Sequence, residues 1–256
     1  MTIYDAVLLF FAGVLGGAIN AVAGGGSFFT FPALLFAGVG PLAANATSTL
    51  ALWLGTMASG GAYRSKLKVP GKVMAPLLAT SIAGGLMGAF LLIKTPPHTF
   101  MKVIPWLMLA ATLLFTFGKY LTKYISAGIG QDASNGAIAG ASLFELVVAI
   151  YGGYFGGGMG IVNLAMLASL GMTDIHAMNA LKVVLGSATN GVATFTFIFS
   201  GLITWRPAIA VTSGALIGGY ATAHFAQRLP QIWIRRFVIA AGLVTTVYFF
   251  LAAYHS

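Results

Sequence analysis

The sequence predicts an all-α integral membrane protein made of two tandem homologous repeats, with about eight spanning helices, or about eight to ten if two short apolar segments also cross. Three observations predict it. Of the 256 residues, 59% are hydrophobic and 7% charged, with a mean hydropathy of +0.94; a water-facing surface needs about 25% charged residues. Apolar runs long enough to cross a bilayer, about 17 to 25 residues each, recur along the whole chain. A constant shift of 134 residues then carries one half onto the other without a gap, pairing Gly24 with Gly158, Gly26 with Gly160, Asn45 with Asn179, Lys72 with Arg206, Pro96 with Pro230 and Lys102 with Arg236.

In chain order, the long segments of the first half are 4–22, 43–62, 73–93 and 99–117, and those of the second are 135–155, 177–200, 207–227 and 233–253. Two short segments, 27–38 and 161–170, directly follow the glycine runs. As helices they rise about 15–18 Å, too little for a hydrocarbon core of about 30 Å. The repeats are thus 1–118 and 135–256, joined by a linker at 119–134. The first apolar segment reads as a retained span: residues 1–9 contain Asp5 and no Lys or Arg, so the positive region of a secretion signal is missing.

Basic residues bear on topology. With five crossings per half, one side collects Arg64, Lys66, Lys68, Lys72, Lys119, Lys123, Arg228, Arg235 and Arg236, against Lys94, Lys102 and Arg206 on the other. With four crossings per half and re-entrant short segments, the split is seven against five. The positive-inside rule favours the first, inverted arrangement, and both stay open. The net charge of +9 is accounted for by these loops and by anionic lipid; no basic patch interleaved with aromatics marks a nucleic-acid binder. Cysteine is absent, which excludes thiolate metal sites and thiol catalysis. His98, His176, His224 and His255 share no metal-ligand spacing, so neither metal nor cofactor is expected.

Polar and flexible residues inside the spans point to the site. Three adjacent glycines, Gly24, Gly25 and Gly26, and a second run ending in Gly158 and Gly160 stand where irregular backbone is tolerated only against protein or a water-filled cavity. A helix restarting at Ser27, and another at Ile161-Val162-Asn163, presents unpaired N–H groups and a partial positive charge, a ready anion site. Gly84, Gly85 and Gly88 read instead as packing glycines. Asn45, Thr47 and Ser48 lie in one span, and Asn179, Lys182 and Asn190 in its counterpart. Asn45 with Ser48, and Asn179 with Lys182, share a helix face. Neutral amides and hydroxyls suit an anion's oxygens, and Lys182 supplies charge. Glu145 is the one acidic residue placed mid-span; pairing with Lys182 and proton coupling are its two readings.

The pattern "AGGGSFFTFPALLFAG…ANATS", echoed by "FGGGMGIVNLAMLASLGM…MNALK", resembles the TauE/SafE family of sulfite exporters, also called the sulfonate uptake permease family. The resemblance covers nearly the whole chain. It implies a multi-pass secondary carrier of the bacterial inner (cytoplasmic) membrane for sulfite, organosulfonates or other sulfur oxyanions, with about eight spans from a four-plus-four duplication. In some members an Asp stands shortly before each glycine run; here Asn20 and the stretch 151–154, "YGGY", stand there, so any coupling ion at that position is in doubt or moves to Glu145. Only the resemblance supplies sulfur.

The sequence therefore predicts a non-enzymatic anion transporter working by alternating access. Its substrate-binding candidates are Gly24, Gly25, Gly26, Ser27, Asn45, Thr47, Ser48, Gly158, Gly160, Asn163, Asn179, Lys182 and Asn190. Its partners are a small anion, the lipid bilayer and, compatibly, further copies of itself. A carrier for a non-sulfur organic anion and a non-transporting assembly protein are the alternatives. An intramembrane hydrolase would need a GxSG serine, and none is present.

Overall fold

The computed structural model describes residues 1–60, 70–121, 134–169, 172, 175–225 and 231–254, and all regular structure among them is α-helical. Ten helices follow in order within these residues: α1 Ile3–Ala23, α2 Ser27–Phe36, α3 Pro41–Gly60, α4 Gly71–Lys94, α5 Pro97–Leu121, α6 Asn135–Tyr154, α7 Met159–Ser169, α8 Ile175–Phe199, α9 Trp205–Phe225 and α10 Gln231–Tyr254. The linker expected at 119–134 begins inside α5, and residues 122–133 lie outside the described residues, as do Arg64, Lys66, Lys68 and Arg228 of the charge argument.

Local chemistry sets the helix ends. Thr2 caps α1 with a reciprocal pair: its hydroxyl accepts from Asp5 N–H (3.2 Å), and its own N–H donates to Asp5 Oδ2 (2.6 Å). At the other end, Gly24 adopts φ 78°, and its N–H reaches the carbonyls of Ile19 and Asn20. That left-handed C-cap stops α1 in mid-apolar sequence. Ser134 caps α6 through Ala137 N–H, and Gly156 (φ 77°) and Gly158 (φ 75°) break the chain after it. The expected restart at Ile161 falls at Met159 instead, because Met159 N–H closes a turn onto the Gly156 carbonyl (3.3 Å).

The short helices, 10 and 11 residues long, rise only about 15–16 Å. Among the described residues, four helices are long and apolar enough to cross a membrane by length and composition: 3–21, 71–94, 135–154 and 177–199. The others expected to span, α3, α5, α9 and α10, have 20, 25, 21 and 24 residues, about 30 Å or more each. The polar stretch of α3 is buried: Asn45, Thr47, Ser48 and Thr49 face protein. Large apolar side chains such as Phe11, Phe90, Val147, Phe199 and Val244 point outward, where lipid rather than water suits them.

The seams join the two halves. α1 packs chiefly on α9 and α6 on α4; α3 lies against α9 and α8, α4 against α8, and α5 against α10. Each of the first two seams sets the opening helix of one half on the fourth helix of the other. Both rest on glycine pairs spaced by four. Side chains at Gly13 or Gly17 would overlap the carbonyls of Val211 and Ala215, and side chains at Gly214 or Gly218 would overlap those of Phe10 and Val14. Across the other seam, Gly84 and Gly88 bring α4 onto the backbones of Leu146 and Ile150 of α6, and Gly85 brings it onto Thr189 of α8, as packing glycines do. Gly17→Leu is therefore expected to destabilise the protein by several kcal/mol, roughly the upper range of overpacking, read as a lower melting temperature in detergent.

An aromatic hub fixes the broken ends. Phe31 of α2, fully buried, meets Phe100 of α5, Phe155 just after α6, and Phe249 of α10 at ring separations of 6.4, 5.9 and 5.6 Å. Phe155 stands beside Gly156, so the packed core positions the second glycine break directly.

Candidate functional site

The two breaks meet. A Cβ at Gly24 would lie 2.7 Å from the Cα of Gly160, and one at Gly160 would lie 3.0 Å from the Cα of Gly24. Only bare backbone allows this approach. Beside the contact is a cavity of about 30 Å³ lined by Asn20, Gly24, Thr56, Gly156, Met159, Gly160, Lys182, Val183, Gly186 and Asn190. A single water needs about 10–15 Å³ on this measure, so the space admits a very small polar solute.

Each wall has a local cause. Gly24 ends α1, and Asn20 one turn earlier donates from Nδ2 to the Thr56 hydroxyl of α3 (2.8 Å). Thr56 in turn donates to the Leu52 carbonyl (2.7 Å). Gly160 lies in the first turn of α7, whose opening N–H groups have no partner within their own helix. Lys182, Gly186 and Asn190 recur every four residues along α8 and so share a face.

Lys182 brings the cationic side chain to this lining. It is 5% exposed, and its Nζ has no hydrogen-bond partner among the described residues. Glu145 does not pair with it: Glu145 Oε1 accepts from the Ser81 hydroxyl instead (2.6 Å), so the first of the two sequence readings of Glu145 is corrected. A cation in the membrane interior without a counter-charge is costly. Here its side chain borders a cavity that also receives the N-terminal, positive end of α7.

Of the sequence candidates, Gly24, Gly160, Lys182 and Asn190 line the cavity. Others bond helix to helix. Asn45 Nδ2 donates to the Tyr154 carbonyl (2.9 Å), at the end of α6. The Thr47 hydroxyl accepts from Thr204 N–H (3.2 Å) before α9. The Ser48 hydroxyl bonds that of Thr30 (2.6 Å), tying α3 to α2. Gly26 packs on Leu52 and Asn20, and its carbonyl takes the N–H groups of Phe29 and Thr30. Gly158 abuts Ala111 of α5. Gly25, the buried Ser27 and the half-buried Asn179 lie away from the cavity lining. Asn163 is fully buried with neither amide atom partnered among the described residues, also outside the lining. Ser48→Ala is accordingly expected to cost about 1 kcal/mol of stability and to leave anion affinity unchanged, as thermal melting and binding titration would show.

Asn20, Thr56, Gly156, Met159, Val183 and Gly186 line the cavity and were not among the sequence candidates. Two of them carried signals. Asn20 stands one helical turn before Gly24, and Thr56 falls on Asn190 under the 134-residue shift. The same shift sets Lys182 opposite Ser48, so one half supplies a cation where the other supplies a hydroxyl already engaged.

An all-helical body with lipid-suited faces, broken helices meeting inside it and a buried, unpartnered ammonium at their junction defines a multi-pass membrane protein of the transporter class. The chain belongs to the sulfite exporter TauE/SafE family, whose model matches residues 9–249. A probable membrane transporter protein of Haemophilus influenzae is 28% identical to it over 93% of this chain and 92% of its own length. Probable membrane transporter protein ORF9 of a Sinorhizobium species is 26% identical over 93% and 90%, respectively. Probable membrane transporter protein YfcA of Escherichia coli K12 is 25% identical over 93% and 86%. No solved structure is a significant match.

Proposed function

We propose that this transporter is a secondary carrier that moves a small oxyanion, sulfite or an organosulfonate, across the cytoplasmic membrane by alternating access. The observation that carries the reading is the unpartnered Lys182 ammonium at the cavity where α1 stops and α7 starts. Its charge, the first-turn amides of α7 at Gly160 and the amide of Asn190 are donors that an anion's oxygens can use together, and the charge favours an anion over a neutral acceptor. The family description supplies sulfite as the first solute to test.

Residues 1–118 and 135–256 are two copies of one unit that rock against each other about this site. Seams between opposite halves, α1 on α9 and α6 on α4, support that motion, since each joins the same pair of helix positions across the two copies. The glycine contact between Gly24 and Gly160 is the natural pivot, because bare backbone slides without side chains to repack.

Counterflow of labelled sulfite and methanesulfonate into proteoliposomes tests the reading. Uptake dependent on trans anion is expected. Sealed, well-folded preparations that exchange neither of these, nor sulfoacetate, overturn it; exchange of a carboxylate alone would redirect it to a non-sulfur organic anion.

A further inference from the structure

A second buried charge-bearing group lies apart from the cavity. Glu145, halfway along α6, has no exposed surface. Its Oε1 accepts from the Ser81 hydroxyl of α4 at 2.6 Å, and its Oε2 has no partner among the described residues. The Ser81 carbonyl in turn accepts from the Thr189 hydroxyl of α8 at 3.3 Å. Thr189 adjoins Asn190, and its Cγ2 lies 3.1 Å from where a Gly152 Cβ would stand, beside Met159. Asn190 and Met159 both line the anion cavity. Two hydrogen bonds thus link the carboxyl through Ser81 of α4 to Thr189 of α8, next in sequence to the cavity-lining Asn190.

Few other charged or titratable groups lie on the helices around Glu145. On α4 they are Lys72 and Lys94, nine residues before and thirteen after Ser81, so about 13 and 20 Å away along the axis. α7 carries none. α8 contributes His176 in its first turn and Lys182, seven residues before Thr189. Tyr151 and Tyr154 lie on α6 itself, and the Tyr151 hydroxyl donates to the Gly157 carbonyl. The carboxyl can therefore take or lose a proton without breaking an ion pair.

Charge balance gives that proton a role. Burying net charge in an occluded state is costly, so a carrier that rocks through one gains from charge balance. Before the anion binds, the carrier is balanced when Lys182 is ammonium and Glu145 is carboxylate. Binding a monovalent anion to Lys182 upsets the balance by one, and a proton on Glu145 Oε2 restores it. We propose that Glu145 is the carrier's proton site and that one proton crosses with each monovalent anion. The inference rests on the anion-carrier reading. The proton arrives from water on the side where the anion binds and leaves to water on the other; the hydroxyl of Ser81 keeps its bond to Oε1 throughout.

The test separates the two readings. Counterflow of labelled methanesulfonate and sulfite in wild-type proteoliposomes establishes exchange; its absence for both overturns the carrier reading and this one together. With exchange in hand, an acid-outside pH gradient is expected to drive accumulation of methanesulfonate, which stays monovalent, and a potassium diffusion potential is not. Exchange without response to the pH gradient overturns the proton site alone. Glu145→Gln, which can keep the Ser81 bond, is expected to retain counterflow and lose gradient-driven accumulation. Wild-type accumulation by E145Q, or loss of both activities at an unchanged melting temperature, overturns the proposal. Should E145Q not fold, Ser81→Ala carries the test: a shift of about one pH unit in the midpoint of accumulation is expected, and an unmoved midpoint overturns it.

Discussion

Lys182→Met is expected to lower anion affinity and transport at least about 30-fold, the lower bound for truncating one partner of a buried charge pair. Methionine keeps the length and apolar stem of lysine, so the wall of the cavity survives and only the charge leaves. Within the fold that charge has no partner in hydrogen-bond reach among the described residues. Its removal is therefore expected to leave the melting temperature unchanged or raise it, since a buried ammonium with no carboxylate in contact is a cost to the fold, and Glu145, with no ion pair to lose, can take up a proton. Opposite movements of activity and stability distinguish a solute-binding group from a packing residue, which would lose both. Transport by K182M at the wild-type rate in proteoliposomes would remove the ammonium from the site.

Gly24→Ala is expected to cost stability by roughly 2 to 5 kcal/mol and to abolish counterflow, as two effects add: an L-residue in the left-handed region costs about 1–2 kcal/mol, and forcing a methyl into a closed contact costs about 1–3 kcal/mol more. Gly24 has φ 78°, and its added methyl would stand 2.7 Å from the Cα of Gly160, pushing α7 away from α1 where the cavity forms. Gly38 supplies the control. It has the same φ of 78°, and a methyl added there would meet nothing within 4 Å. Gly38→Ala should therefore cost only the backbone contribution, about 1–2 kcal/mol, and leave transport intact. Equal effects of the two substitutions, by melting and by counterflow, would show that the meeting of the broken helices does not matter.

How far the site could be read in advance depended on the range of the interaction involved. The stop after Ala23 and the restart at Ser27 were legible, because a left-handed glycine and an orphaned helix start are properties of a few adjacent residues. Gly84, Gly85 and Gly88 were legible as packing glycines for a similar reason: their spacing on one helix face already limits what they can do. Asn45 and Ser48 were not separable from Lys182 in the sequence. All three are polar residues in corresponding spans, and nothing local says that Tyr154 and Thr30 will take up the first two while Lys182 is left alone. Asn20 was visible as a departure near the glycine run, yet its place in the cavity depends on Thr56 arriving from α3.

Composition and periodicity determined by themselves that this chain is helical and lives in a membrane, and glycine runs determined where its helices break, because desolvating the backbone and left-handed φ act over a turn or less. Tertiary structure alone decided which of many intramembrane polar groups remain unpartnered. Partnership in a low-dielectric interior is settled by contacts of about 3 Å between helices far apart in sequence. Among the described residues those contacts leave the Lys182 ammonium facing the junction of two breaks, and the Glu145 carboxyl apart from it with one oxygen free.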